Sequence, residues 1–470
     1  MRVTIRNFKS IREASIELRP GLSILVGPNG SGKTCLLSAL QFIRDTFRVG
    51  AAQALALQGG ARRVFRHRQS EMSFSFAQEY GDRLYQKAKA PCQLSWEATI
   101  AQAGPEKLAI ITQESLEIAA RLRDGTARLF GIVVDRTHGG NARLKTHLAP
   151  EDTLGRDLFS SWQAYPCRST AKPALAKALR DETIPFIRKR LRAEPDRSCV
   201  PLLAGLDRVL EDANGCFRFL SEYNILPDIA RASTEQLPFA RMTPNGQGVS
   251  EVIDALGKKE RYYKLEQLAV AEAEDIYGYS YPYSRYWWHY RRSYRPHGRR
   301  PYGDAFQSIN QELAAAVKPI THVTVGTDEG SGKRFVRFHA GRDAFSPEEV
   351  SDGTVKWLCI LVSLFVPFSK VYLLEEPENF LHPWMQQRLI SIMRQQATHD
   401  GTIFLLASHS ATVLNAALPD EILVVKQGKQ GTEVSALADI ESIRKVLAES
   451  EFQLGDLWVS GAIGGVPGHE

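Results

Sequence analysis

The sequence predicts an α/β fold: a mixed sheet with helices, in two halves separated by a mainly helical insertion. Three observations predict it. An apolar strand, "SILV", runs into Gly27-Pro28-Asn29-Gly30-Ser31-Gly32-Lys33-Thr34 and then into an amphipathic run, "CLLSALQFIRDTF". Two more apolar runs, "VYLLEEPE" (371–378) and "GTIFLLASHS" (401–410), end in acidic or Ser/His residues. About 300 residues separate Thr34 from the second set of motifs. The expected halves are residues 1–135 and 335–470, with the insertion at 136–334.

Bulk properties set the frame. A chain of 470 residues exceeds one compact core and implies two or three domains. A hydrophobic fraction of 43% and a charged fraction of 24% are those of a soluble globular protein. The net charge of +6 is mild for this size and only hints at acidic partners. The most apolar stretch, WLCILVSLFVPF (357–368), is too short to span a bilayer and reads as a buried helix. The start, "MRVTIRNFKSI", alternates like a strand and lacks the apolar segment of a signal peptide. The six cysteines are scattered with no CxxC pair, which argues against zinc or a disulfide framework and fits a reducing cytoplasm.

The first element is the phosphate loop. Residues 27–34 fit G-x-x-x-x-G-K-[ST] completely, between a strand and a helix as that motif requires. Its glycines let backbone N–H groups from Asn29, Gly30, Ser31 and Gly32 curl around phosphates. Lys33 reaches the β- and γ-phosphates, the Thr34 hydroxyl ligates Mg²⁺, and the helix N-terminus adds partial positive charge. Strand-like runs follow: "MSFSFAQ", "CQLSWEATI", "LAIITQESLEI" and "RLFGIVV". They are expected to complete an antiparallel sheet. Amphipathic helices are expected over 172–194 and 200–213, with no sustained heptads.

One stretch of the insertion stands out. Residues 277–302 hold eight of the fifteen tyrosines, Trp287, Trp288 and six arginines, with no acid. Interleaved Arg and aromatics suit nucleic acid, with guanidinium groups on phosphates and rings on bases. They equally suit a protein interface, or a loop that folds back on its own domain. The tyrosines outnumber what a phosphate track needs, so an interface leads.

In the last third, the buried strand "VYLL" ends in Glu375-Glu376. Such a pair can support a metal shell and polarise water, or simply open a helix. VSDGT (350–354) opens an apolar helix, with Ser351 and Gly353 either an anion site or an ordinary cap. His409 ends an apolar strand, either as a γ-phosphate sensor or as a surface histidine.

Order and spacing resolve these choices. Phosphate loop, VSDGT, EEPE and SHS follow one another as in ABC-type ATPases, with Ser351 25 residues before Glu376 and His409 33 after it. "IRNFKSI", "SDGT" in place of "SGGQ", and "EEPENFLHP" resemble the SMC-like branch. That branch includes RecF-like repair proteins, OLD-family proteins and the ATPases of anti-phage systems such as Septu and PARIS. The resemblance is strong over 1–50 and 340–415 and weak over 226–256. It implies an ABC/SMC-type P-loop ATPase head using ATP and Mg²⁺. Lys9 and Ser10 would lie near the adenine. Glu376 would be the catalytic base, Glu375 the acid on the Mg²⁺ side, and His409 the switch histidine. Ser351 and Gly353 would contact the γ-phosphate held by a second copy, and Asn379 to His382 would form the D-loop. An Asp is usual where Glu375 stands. Gln69 is the candidate for the Q-loop glutamine.

The resemblance implies a homo-oligomer joined through composite ATP sites. As about 60 residues follow His409, without an HNH or TOPRIM-like set, the first expectation is a defence ATPase controlling a separate nuclease effector. A RecF-like repair ATPase that binds DNA itself is the second. A transporter subunit is disfavoured by "SDGT" and the insertion.

Overall fold

A computed structural model describes residues 1–80, 92–103, 108–121, 128–137, 141–148, 184–204, 208–218, 220–235, 240, 242–258, 302–366, 369–428 and 431–463. The aromatic–basic segment 277–302 lies outside the described residues, apart from Tyr302.

The centre is a six-stranded sheet. It consists of β3 (Gly21–Val26), β9 (Leu220–Tyr223), β13 (Val371–Glu375), β14 (Ile403–Ala407), β15 (Ile422–Gly428) and β16 (Gly431–Ala436), in the order β16-β15-β3-β14-β13-β9. β15, β3, β14, β13 and β9 run parallel, and β16 closes one edge antiparallel. Strands covered on both faces read as unbroken apolar runs, as "LSILV" and "IFLLA" do. Alternation splits each run between two cores. Leu25, Leu373 and Leu405 face the first; Ile24, Val26, Leu374 and Leu406 face the second.

The first core carries the helix Lys33–Val49 and then a second sheet. That sheet joins β1 (Arg2–Phe8), β2 (Ile11–Glu17), β4 (Glu71–Tyr80), β5 (Cys92–Ala103), β6 (Leu108–Arg121), β7 (Arg128–Thr137) and β8 (Asn141–Leu148). Its order is β2-β1-β4-β5-β6-β7-β8, antiparallel throughout. The expected strands thus do complete an antiparallel sheet. Phe42 and Phe74 stack between its inner face and the helix, and Phe76 stacks with Trp96. Beneath it, Arg136 and Glu114 are both fully buried. Arg136 donates to the carbonyls of Leu191 and Arg197, and Glu114 accepts from Ser198 Oγ and the Cys199 amide. The second core carries the helices Asp352–Phe365 and Pro383–Asp400. Against it lies a small sheet of β10 (His322–Thr327), β11 (Arg334–Ala340) and β12 (Asp343–Phe345).

The expected division of the chain differs from strand pairing at both boundaries. β7 crosses residue 135 because its register with β6 and β8 continues to Thr137. The boundary at 334 falls at the start of β11, where Arg334 pairs with Thr327. Between them, β9 is a strand of the central sheet, registered on β13. The stretch 136–334 therefore supplies head structure as well as helices. Of the expected helix 172–194, Ile184–Ala193 is described. Of the run 200–213, the described residues fall mostly in the helices Cys199–Leu203 and Arg208–Arg218.

Candidate functional site

β3, β13 and β14 end side by side, at the edge where parallel α/β sheets place their ligands. The phosphate loop leaves β3 there. Ser408 N donates to Leu25 O at 3.2 Å, and Glu376 N donates to Ala407 O at 2.9 Å, so the three exits are stitched together.

The loop has little room for side chains. Gly32 has φ of 108°, and a Cβ there would collide with Thr432. Thr432 is 1% exposed and shares a 3.1 Å hydrogen bond with Ser10 Oγ. Ser10 is thereby joined to the loop through one residue. Ser31 Oγ is buried without a hydrogen-bond partner among the described residues. Lys33 folds back, its ammonium donating to Gly27 O at 2.8 Å and Pro28 O at 3.1 Å. Burial lowers its pKa to about 8, against the pull of Glu376 and Glu375. Asn29, Gly30 and Thr34 are exposed. A buried cation held only by loop carbonyls, beside an unpartnered hydroxyl, fits a phosphate chain that would replace those contacts.

The acidic pair occupies the end of β13. Thr34 Oγ1 donates a hydrogen bond to Glu375 Oε1, so Glu375 reaches the loop. This hydroxyl–carboxylate pair is an oxygen donor set of the kind Mg²⁺ takes. Glu376 has a φ of 43°, left-handed for a residue with a side chain. Its Oε2 accepts from Asn379 Nδ2 at 2.8 Å, and its Oε1 lies 3.8 Å from His409 Nε2. Burial and Lys33 lower the His409 pKa, so the imidazole is neutral at neutral pH.

Glu378 closes the EEPE motif. It is 6% exposed and binds Ser408 Oγ at 2.5 Å and His409 N at 2.9 Å. Burial raises its pKa. It ties the β13 exit to the β14 exit and so sets Glu376 against His409.

The remaining expected residues divide. Lys9 has φ of 49° and turns its ammonium to Gln58 Oε1 at 2.9 Å, with burial lowering its pKa. Gln69, the Q-loop candidate, is exposed in a turn, its amide bonded to Arg66 O. Gln58 is the glutamine found beside Lys9. His382 caps the helix Pro383–Asp400 through Nδ1. Ser351 caps its own helix, bonding Thr354 N at 3.3 Å and Thr354 Oγ1 at 2.9 Å. Among the described residues, no hydrogen bond joins Ser351 or Gly353 to residues 27–34.

Arg231 holds the VSDGT turn. It donates to Pro347 O at 2.9 Å, Val350 O at 2.8 Å and Asp352 Oδ1 at 2.5 Å. The weak resemblance over 226–256 is the only sequence signal that covers it. Thr432, in β16, had none.

Sheet, loop and acidic strand end together define an α/β P-loop ATPase domain. Two family models match parts of it. One, described as "AAA ATPase domain", matches residues 1–126. The other, "AAA domain, putative AbiEii toxin, Type IV TA system", matches residues 298–415. Among curated relatives, the DNA replication and repair protein RecF of Edwardsiella ictaluri is 45% identical over 67 residues, 14% of this chain and 16% of that protein. RecF of Magnetococcus marinus is 42% identical over 60 residues, 12% of this chain and 16% of the relative. The chain thus spans about a sixth of the relatives it matches. Solved structures similar to it include the Smc head bound to the C-winged helix domain of ScpA, with TM-score 0.43, 11% identity and 94% and 98% of the two chains covered. The SMC head domain from Thermotoga maritima aligns with TM-score 0.32, 12% identity and 93% and 98% coverage. No helix among the described residues is long and apolar enough to cross a membrane.

Proposed function

We propose that the chain is an ATP-driven head that closes on a second copy of itself and controls a separate effector, a nuclease, in an anti-phage defence system. In this reading Lys33 and the amides of residues 29–32 bind the phosphates of ATP. Thr34 and Glu375 would hold Mg²⁺, which when bound would supply neutralisation of the phosphate charge. Glu376 accepts a proton from the attacking water, and neutral His409 donates toward the γ-phosphate. Ser351 and Gly353 complete the site of the other copy, with Asn379 to His382 between them. Lys9 and Ser10 flank the base.

One observation carries the composite site. Lys33, Thr34, Glu375, Glu376 and His409 converge on one sheet edge, whereas exposed Ser351, among the described residues, bonds its own helix start. The defence setting draws support from the toxin–antitoxin system named in the family description. A second reading, a RecF-like ATPase that binds DNA directly, draws support from the RecF matches. DNA-stimulated hydrolysis by the isolated chain would favour it.

The test is pairing. The Glu376→Gln chain should double its mass in light scattering when ATP is added. Adding Ser351→Arg should abolish that doubling while ATP still binds in calorimetry. Undiminished pairing by the double variant would sink the composite site.

A further inference from the structure

The helix Asp352–Phe365 begins with Ser351, and two of its residues reach the turn that carries Glu376. Lys356 is 3% exposed. Its ammonium donates to Glu376 O at 3.1 Å, its one hydrogen bond among the described residues. The same nitrogen lies 5.7 Å from the centre of the Phe380 ring. Gly353 packs so closely on the Phe380 carbonyl that a Cβ there would collide with it.

The turn 376–380 is itself unusual. Both ends are left-handed without being glycine, with φ of 43° at Glu376 and 67° at Phe380. Such residues persist only where neighbours over-determine them. Here the neighbours are Lys356 at one end and Gly353 at the other. Glu376 O also accepts Asn379 N at 3.2 Å, and Asn379 Nδ2 holds the Glu376 carboxylate. Moving the helix therefore moves the peptide that aims the carboxylate. On the far side, Glu378 fixes the turn to His409.

A buried ammonium with three donors and one acceptor is costly for stability alone. Its placement makes sense as a positioning device. We infer that Lys356 relays engagement of Ser351 and Gly353 on the other copy's nucleotide to Glu376 of its own chain, so that the two sites of a pair hydrolyse together. The inference rests on the composite site proposed above. Ser351 acts across the interface, Glu376 acts within the chain, and Lys356 joins them over five residues of one helix.

The experiment compares the full wild-type chain with Lys356→Met and Lys356→Arg. ATP hydrolysis is followed against ATP concentration, ATP affinity by calorimetry, pairing by light scattering with a non-hydrolysable analogue, and stability by melting. The wild type should pair and show a Hill coefficient approaching about 2, the limit for two coupled sites. Lys356→Met should pair, bind ATP within about twofold and stay folded at the assay temperature, since Glu376 O keeps the Asn379 amide as a donor. Its Hill coefficient should fall to about 1 and its kcat should fall, by no more than the roughly 10²–10⁴-fold that losing the base itself would cost. Lys356→Arg, which keeps a donor, should retain cooperativity. Cooperativity unchanged in Lys356→Met overturns the relay. So does a parallel loss of ATP affinity and melting temperature, which marks a merely structural lysine. Wild-type pairing with a Hill coefficient of 1 overturns the relay alone, whereas absence of wild-type pairing overturns the composite site and the relay with it.

Discussion

Lys33 sets the chemistry at the residue scale. Its ammonium rests on the carbonyls of Gly27 and Pro28, weak partners that a triphosphate readily displaces. Glu375 and Glu376 are adjacent yet meet different partners because the backbone turns them apart. Glu375 ends β13 in extended conformation and meets Thr34; Glu376 turns left-handed and meets Asn379 and His409. Glu376→Gln should lower kcat by roughly 10²–10⁴-fold, the usual weight of a general base, with ATP affinity preserved. Glu375→Gln should instead raise the Mg²⁺ concentration needed for half-maximal hydrolysis. Steady-state rates across a Mg²⁺ titration check both, and an exchange of the two phenotypes would reverse the assignment.

At the scale of elements, loops are placed by groups far off in sequence. Arg231 meets two carbonyls and one carboxylate around residues 347–352. Arg231→Met keeps the stem but leaves those acceptors unpaired. Each half-buried acceptor left without its donor costs on the order of 1–3 kcal/mol. The variant should melt several degrees lower and lose ATP-driven pairing, while a single chain still binds ATP. Intact pairing would show that the VSDGT turn holds itself. Thr432 works similarly from β16: it backs Gly32 and binds Ser10, so the edge strand shapes the phosphate loop.

At the scale of the whole molecule, the parallel sheet is the frame. One face packs on the helix Lys33–Val49 and the antiparallel sheet, the other on the helices Asp352–Phe365 and Pro383–Asp400, and the phosphate loop and acidic pair sit at one edge. The site also leaves a mark on global stability. Burial lowers the Lys356 pKa to about 8 from its ordinary value of 10.5. Below about pH 8 the lysine is protonated whether folded or unfolded, and its burial cost is constant. Between about 8 and 10.5 the unfolded chain holds a proton that the folded chain has released, so stability rises with pH. Denaturant midpoints should therefore move in favour of the wild type over Lys356→Met across that window. A flat difference would mean the ammonium is solvated.

What the sequence settled by itself was local. GPNGSGKT specifies its own loop, because glycine spacing and the Lys-Thr start of a helix are enough to form a phosphate cradle. Apolar runs bounded by turns gave β3, β13 and β14, and their order marked the head. Five of the seven antiparallel strands, β1 and β4 to β7, were legible as strand-like runs. What only the tertiary structure decided was who stands next to whom. β9 reads as an undistinguished stretch until it pairs with β13, and β7 and β8 outrun any boundary that composition suggests. Arg231, Lys356, Glu378, Gln58 and Thr432 belong to the site through contacts spanning up to 422 residues of chain. No periodicity encodes such contacts, because a side chain's partner is chosen by the packing of whole layers rather than by its neighbours along the backbone.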